Sequence, residues 1–523
     1  MVHYALAAHG GWIGTGFLQG DGPVYMANAR KFFDDGFHLF YSNPCSSSLN
    51  PEYIYFQPHF FVMGLAEKLT GISPGTVYVA FGVVTGVACI RVAIALYEGV
   101  AGLSGTAQRL GLLVFMWGGG VLALAGIALA LAHHETLRDT MKDMFVLDPG
   151  NGWWFMNLGR NLVYPVESYY HLVAFGAMVM LLRKRYLIAA ALGFLISISH
   201  PFTGLQFLLI MVSWAWLECW FIKSDVVPTW FFVAVIGLLV THFAYYVGFL
   251  NLFTEQRALY DQLTYPSIIR AGSFIPADLI VGTLAFVALR NLPLAREMFS
   301  HPSNRMFLVW FIVSFALAHH DFAVQPRQPA HFTRGYTYVP LFLLGVGPML
   351  NLWNFLLGIQ VLVFRIAAIG AVMLFFLSDN ILWFASRTVG RYVAAASEEA
   401  RSTIPDDLYD GVLTDKQDLA FYAWLNQQPE HSELLVVKDP AMPYLALAYT
   451  PFRAWYTHPF NTPYADQRRQ EVADYYSSGK IPPGWIGRKL FIVLPNDATS
   501  PLPEVYRNDR YHVVLLDLTA AKS

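Results

Sequence analysis

Three acidic residues stand where the chain stops being apolar. Asp21 opens the stretch "GDGPVYMANARKFFDDG" (20–36), and Glu52 precedes the Gln57-Pro58 dipeptide in "NPEYIYFQPHFFVMGL" (50–65). Glu167 lies four residues before His171 in "LDPGNGWWFMNLGRNLVYPVESYYH" (147–171), a segment that also carries Asp148 and Arg160. A carboxylate that can take a proton from an incoming hydroxyl is a general base. On a helix, Glu167 and His171 would share one face. Plainer roles compete. Asp21 is a good helix N-cap with Pro23 in the first turn, and Glu167 fits a polar residue at a membrane boundary.

Cationic groups gather in "HHDFAVQPRQPAHFTRGYTYVPL" (319–341), which holds Arg327, His331 and Arg334. The guanidinium fork suits phosphate oxygens. Several cations beside a bilayer are costly unless they snorkel to the interface, so a phosphate seat is expected here, with headgroup anchoring as the alternative. The pairs "HHE" (133–135) and "HHD" (319–321) are poor chelates singly, because adjacent helical residues diverge by about 100°. Packing at the interface is the expected role of both pairs, and a divalent cation (Mg or Mn) held between helices is left open. His200-Pro201 reads as a bend between two spans. "GWWF" (152–155) and "ESYYH" (167–171) read as interfacial aromatic belts that could also stack on a sugar ring.

The elements that must position these residues are mostly apolar. The chain has 523 residues, 55% hydrophobic and 13% charged, with mean hydropathy +0.42. That composition describes a mainly α, polytopic transmembrane bundle. Apolar runs of spanning or near-spanning length fall at 76–98, 110–133, 168–182, 187–200, 202–222, 229–250, 276–290, 306–320, 335–357 and 359–385. Arg109, Arg183-Lys184-Arg185, Lys223 and Arg290/Arg296/Arg305 lie in four short connections, which the positive-inside rule assigns to the cytoplasm. Segments 20–75, 134–167, 251–275 and 321–334 then face outward, with the tail after 386, and carry the candidate chemistry. This orientation asks for a span before Asp21. Residues 1–19 make a poor one, so a truncated start is expected, and no cleavable signal peptide is read there.

The tail changes character. "ELLVVK" (433–438), "KLFIVLP" (489–495) and "YHVVLLDL" (511–518) read as buried strands, while 415–428 and 465–479 have helical periodicity. Residues 386–523 are expected to form a small α/β domain outside the membrane, following a membrane domain at 1–385. No Gly-rich phosphate loop follows a strand, so no nucleotide site is expected. The formal net charge of −2 argues against a nucleic-acid partner. Cys45, Cys89 and Cys219 do not make a disulfide framework.

The order Asp21-x-x-x-Tyr25-x-x-x-Ala29, followed by Glu52 near Gln57-Pro58, resembles the polytopic GT-C-type glycosyltransferases. "LISISHPFTGLQFLLI" (195–210) and "TPFRAWYTHPFNTPYADQRRQEV" (450–472) are similar to segments of uncharacterised bacterial members. The resemblance implies transfer of a sugar, with inversion, from a polyprenyl-phosphate donor to a lipid, glycan or protein hydroxyl. It implies a bacterial plasma membrane with the active site facing outward. Asp21 would act as base, assisted by Glu52 or Glu167 with Asp148 behind them. Arg160, His171, Arg327, His331 and Arg334 would bind the substrate. A transporter or lipid flippase, and a non-catalytic envelope assembly protein, are the alternatives; a glycan ligase or polymerase is a neighbouring enzymatic variant.

Overall fold

The computed structural model describes residues 13–17, 21–34, 36–134, 136–148, 156–162, 164–262, 268–290, 292–385, 413–428, 434–438 and 441–521. Each of the ten apolar stretches coincides with helix. Six helices are long and apolar enough to cross a membrane: Pro74–Ala101, Pro165–Leu182, Pro201–Ile222, Thr229–Leu252, Ala271–Arg290 and Leu362–Phe384. Thr106–Trp117 with Leu122–Ala132 and Tyr338–Leu344 with Val346–Leu357 are pairs bent by 61° and 64°, and Tyr186–Ser199 and Pro302–Ala318 are shorter apolar helices. The protein is a multi-pass membrane protein.

The chain divides into two compact units. One comprises Met1–Phe81, Gly248–Leu263 and Gly390–Ser523, the other Gly82–Val247 and Thr264–Val389. The first unit therefore takes in residues from the amino-terminal region and from one central connection, as well as the tail. Its larger sheet has five strands in the order Arg453–Ala454, Leu434–Val436, Lys489–Pro495, Tyr511–Asp517, Glu504–Arg507. The first three strands pair in parallel, and the last two join antiparallel. The fully buried residues of the central strands explain why these runs read as continuously apolar rather than alternating. Leu434, Val436, Trp455, Val472, Trp485, Leu490, Ile492, Val514 and Leu516 form the core beneath the sheet.

In the same unit, helix Gly22–Arg30 buries Val24 and Ala27 against Cys45, Tyr444 and Leu447. Gly64 on helix Pro58–Thr70 lies so close to this helix that a Cβ would meet the Ala29 carbonyl oxygen at 2.0 Å. The absence of a side chain at Gly64 is what lets the two helices touch.

In the second unit, the break at Gly118–Gly120 shows how irregular backbone is satisfied within an apolar helical pair. The Gly119 N–H donates to the Phe376 carbonyl at 2.9 Å, and the Val121 N–H donates to Pro276 at 2.8 Å. The Asp379 carboxylate accepts from the Leu122 and Ala123 N–H groups at 3.1 and 2.8 Å. Asp379 thus caps the second half of the bent pair from another helix, where the helix dipole favours an anion. A Cβ at Gly120 would meet the Pro276 oxygen at 2.0 Å, which explains the glycine there.

Candidate active site

In the first unit, Asp21 occupies the N-cap position of helix Gly22–Arg30, with proline in the first turn, but its side chain makes no capping hydrogen bond. Its main-chain carbonyl accepts from the Tyr25 N–H at 3.1 Å. The carboxylate is 52% exposed, and its Oδ1 lies 3.4 Å from His458 Nε2. His458 comes from the tail and is buried. Its Nδ1 accepts from the Phe460 N–H at 3.1 Å and lies 3.1 Å from the Asn461 amide nitrogen. Occupying Nδ1 as acceptor places the ring hydrogen on Nε2, the nitrogen 3.4 Å from Asp21 Oδ1. The carboxylate is therefore open to solvent and lies beside an imidazole.

Glu52 lies in the same unit and is exposed. Partial burial, and then the charge of Glu255, push its carboxyl above the ordinary range. Glu255 itself accepts from Ser46 Oγ at 2.6 Å. The structure thus sets Glu52 within electrostatic reach of a second acid that the sequence reading did not single out.

In the second unit, Glu167, His171, His331 and Arg334 come together. Glu167 is in the first turn of helix Pro165–Leu182 and pairs with Arg334 Nη1. Arg334 Nη2 donates to His331 Nδ1 at 2.6 Å. His171 lies between the Glu167 and Arg334 carbonyl oxygens, 2.8 Å from each. Arg334 has φ +29°, an unfavourable conformation for a side-chain-bearing residue, and Gly335 follows with φ +79°. The ion pair and the His171 contact hold this turn. Burial, then the charges of Arg334 and His200, hold His331 well below the usual histidine range, in keeping with its neutral acceptor role. The Arg334 guanidinium, expected to meet phosphate, is engaged by Glu167 and His331.

Arg160 belongs to another buried cluster. It pairs with Asp148 and reaches the Asp379 carbonyl at 3.5 Å. Its guanidinium carbon lies 5.0 Å from the Phe145 ring centroid and 5.6 Å from that of Trp383. Asn380 joins this region by donating to the Trp117 carbonyl at 2.8 Å. Arg327 is exposed, and its backbone N–H donates to His320 Nε2 at 2.8 Å. His320 Nδ1 lies 2.6 Å from the Leu317 carbonyl, so its ring serves the local turn. His200 caps helix Pro201–Trp216 through Nδ1, which accepts from the Thr203 N–H at 3.1 Å. Among the described residues no group of three or more His, Cys, Asp or Glu side chains is placed to hold a metal ion. Glu135 and Gly152–Phe155 lie outside the described residues.

Sequence reasoning missed His458, Glu255 and Asp379. His458 stands within the "THPFNTP" segment, where a histidine directly before the first of two prolines signals a constrained turn. Asp379 carried a plainer signal, since an acid inside an apolar run needs a buried partner.

No family model matches the chain, and no curated protein matches it. Among solved structures it is similar to the crystal structure of ArnT from Cupriavidus metallidurans in the apo state, with 14% sequence identity and a TM-score of 0.47 over 98% of this chain and 95% of that chain.

Proposed function

We propose that the chain is an inverting membrane glycosyltransferase that moves a sugar from a polyprenyl-phosphate donor to an acceptor hydroxyl on the outer membrane face. The observation that carries this reading is Asp21, which is released from capping, half-exposed, and faced by the His458 N–H. Displacement at an anomeric carbon needs a base for the incoming hydroxyl and donors for the departing phosphate. Asp21 is the base in this reading, and the His458 N–H orients its carboxylate. Glu52 is the assisting acid, and a divalent cation remains compatible with the donor's phosphate. The GT-C resemblance of the Asp21–Ala29 and Glu52–Pro58 segments supports the same assignment.

The direct test uses the purified protein in liposomes with a panel of polyprenyl-phosphate sugars and an envelope lipid acceptor fraction. Release of polyprenyl phosphate, with inverted anomeric configuration in the product by NMR, is expected. If no donor is consumed, the proposal fails. Orientation is checked in intact cells, where an impermeant maleimide should label Lys480→Cys and not Lys184→Cys.

One observation favours a transport reading instead. Asp278 is buried within helix Ala271–Arg290, and its carboxylate accepts from Thr337 Oγ1 at 3.3 Å. Ionisable groups inside spans are a signature of ion pathways. Proton uptake by the same liposomes, abolished in Asp278→Asn, would support that reading.

A further inference from the structure

Three arginines that play no part in the site above converge within the first unit. Arg453 lies on the edge strand, Arg488 immediately precedes strand Lys489–Pro495, and Arg468 is on helix Ala465–Ser478. The guanidinium carbons of Arg468 and Arg488 lie 5.0 and 5.8 Å from the Trp455 ring centroid. Arg488 Nη1 donates to the Ser47 carbonyl at 2.5 Å, and Arg453 Nη1 donates to that of Ser48. Glu255, bonded to Ser46, lies 3.9 Å from Arg468 Nη2. The arginines thus surround the Cys45–Ser48 turn.

Their charge is incompletely answered. Glu255 and Glu471 are the carboxylates acting on Arg468, and Glu471 also accepts from Trp455 Nε1 at 2.9 Å. Arg488 feels the Arg453 and Arg468 charges together with that of Glu255, so Glu255 is shared between Arg468 and Arg488. Arg468 is 7% exposed, and its Nη1 has no hydrogen-bond partner. Burial, then the neighbouring Arg453 and Arg468 charges, depress the proton affinity of Arg488; burial does the same for Arg468. A guanidinium has five N–H donors, and at Arg468 the buried Nη1 leaves its donors over. Partly buried cations in excess are stabilised by an anion with several acceptor oxygens.

We propose that Arg453, Arg468 and Arg488, gathered around the Cys45–Ser48 turn, form a seat for a phosphate group. Guanidiniums converging from three elements suit a group whose oxygens point several ways, as those of a tetrahedral phosphate do. Under the glycosyltransferase reading, on which this assignment of source rests, the phosphate belongs to the polyprenyl donor. A free phosphate ion has the same chemistry and is the other source.

The test uses the full-length protein in detergent with undecaprenyl phosphate, undecaprenol and inorganic phosphate as probes, read by calorimetry and by the shift in melting temperature. Arg468→Gln and Arg488→Gln should weaken binding of the phosphate-bearing probe about tenfold or more, as expected for losing a charge-assisted hydrogen bond. Arg469→Gln, at an exposed arginine of the same helix as Arg468, should leave it unchanged. Undecaprenyl phosphate binding that inorganic phosphate does not match assigns the lipid; comparable binding of both assigns the free ion. Wild-type affinity in folded Arg468→Gln and Arg488→Gln variants overturns the seat, as does undecaprenol binding as well as its phosphate. Where the Gln variants do not fold, Arg488→Lys decides, because lysine keeps the charge and loses the fork; unchanged affinity then overturns the proposal. Wild-type protein that binds inorganic phosphate through these arginines, yet does not bind undecaprenyl phosphate, counts against the donor reading and leaves the seat standing.

Discussion

Asp21 and Glu167 begin alike and end differently. Both lie at the start of a helix with proline in its first turn, where the dipole favours an anion. Asp21 is 52% exposed and meets the N–H of a histidine, whereas the Glu167 side chain is 6% exposed and meets a guanidinium. An arginine is always charged, so its buried partner must stay an anion to keep the pair balanced. A solvated carboxylate beside a histidine has no such obligation and can accept and return a proton. Two acids in similar local sequence thus meet different surroundings, a buried guanidinium in one unit and solvent beside an imidazole in the other.

That contrast can be broken most forcefully at Glu167. Glu167→Ala leaves Arg334 buried without its anion and should destabilise the protein by about 3–5 kcal/mol. The same change at solvated Asp21 should cost below about 1 kcal/mol. Equal melting temperatures of the two variants in detergent would erase the distinction.

Asp379→Ala is the next largest effect. It removes the acceptor for two buried N–H groups at the helix break and should cost roughly 2–4 kcal/mol. Asp379→Asn keeps one acceptor oxygen and should recover part of that, as measured by thermal unfolding.

The third prediction concerns pH. Burial lowers the His59 imidazole from its ordinary value to about 3. A group whose folded pKa is depressed contributes stability that is present above its unfolded pKa and lost as pH falls toward the folded one. Between pH 6.5 and 5, His59 should therefore remove about 2 kcal/mol of stability. Melting temperatures across that interval should flatten in His59→Phe, and an unchanged slope would assign the loss elsewhere.

The smallest effect is expected at His458. Glutamine can present an amide N–H where Nε2–H now faces Asp21, whereas phenylalanine cannot. His458→Phe removes the polar contact to the Asp21 carboxylate and should slow sugar transfer by roughly tenfold, about 1.4 kcal/mol. His458→Gln should restore most of it, and equal rates for the two would deny the orienting role.

Helices were legible because burial in lipid and in protein both demand long apolar runs, which occur at all ten expected places. The strands of the tail were legible for the same reason. Strand Arg453–Ala454 was not, because two residues carry no period. The broken span at Gly118–Gly120 was hidden inside one apolar stretch, since hydropathy averages across a bend. Arg334 stood out as a cation near a boundary, yet its partner lies 167 positions away and no local pattern joins them. His458 reaches Asp21 through packing of the tail, and the same long-range closure places Arg453, Arg468 and Arg488 around residues 45–48. Residue types were readable in these cases. Their pairings depend on tertiary contacts that one sequence does not encode locally.

The central claim is that Asp21 is held for proton transfer and not for folding. Asp21→Asn tests it, because asparagine keeps the shape and the polar character but cannot take a proton at neutral pH. Polyprenyl phosphate release and melting temperature should be measured on the same preparation. Release should fall by about a hundredfold to ten-thousandfold, with stability changed by less than about 1 kcal/mol. Wild-type release from Asp21→Asn, or a collapse of its melting temperature, would contradict the account.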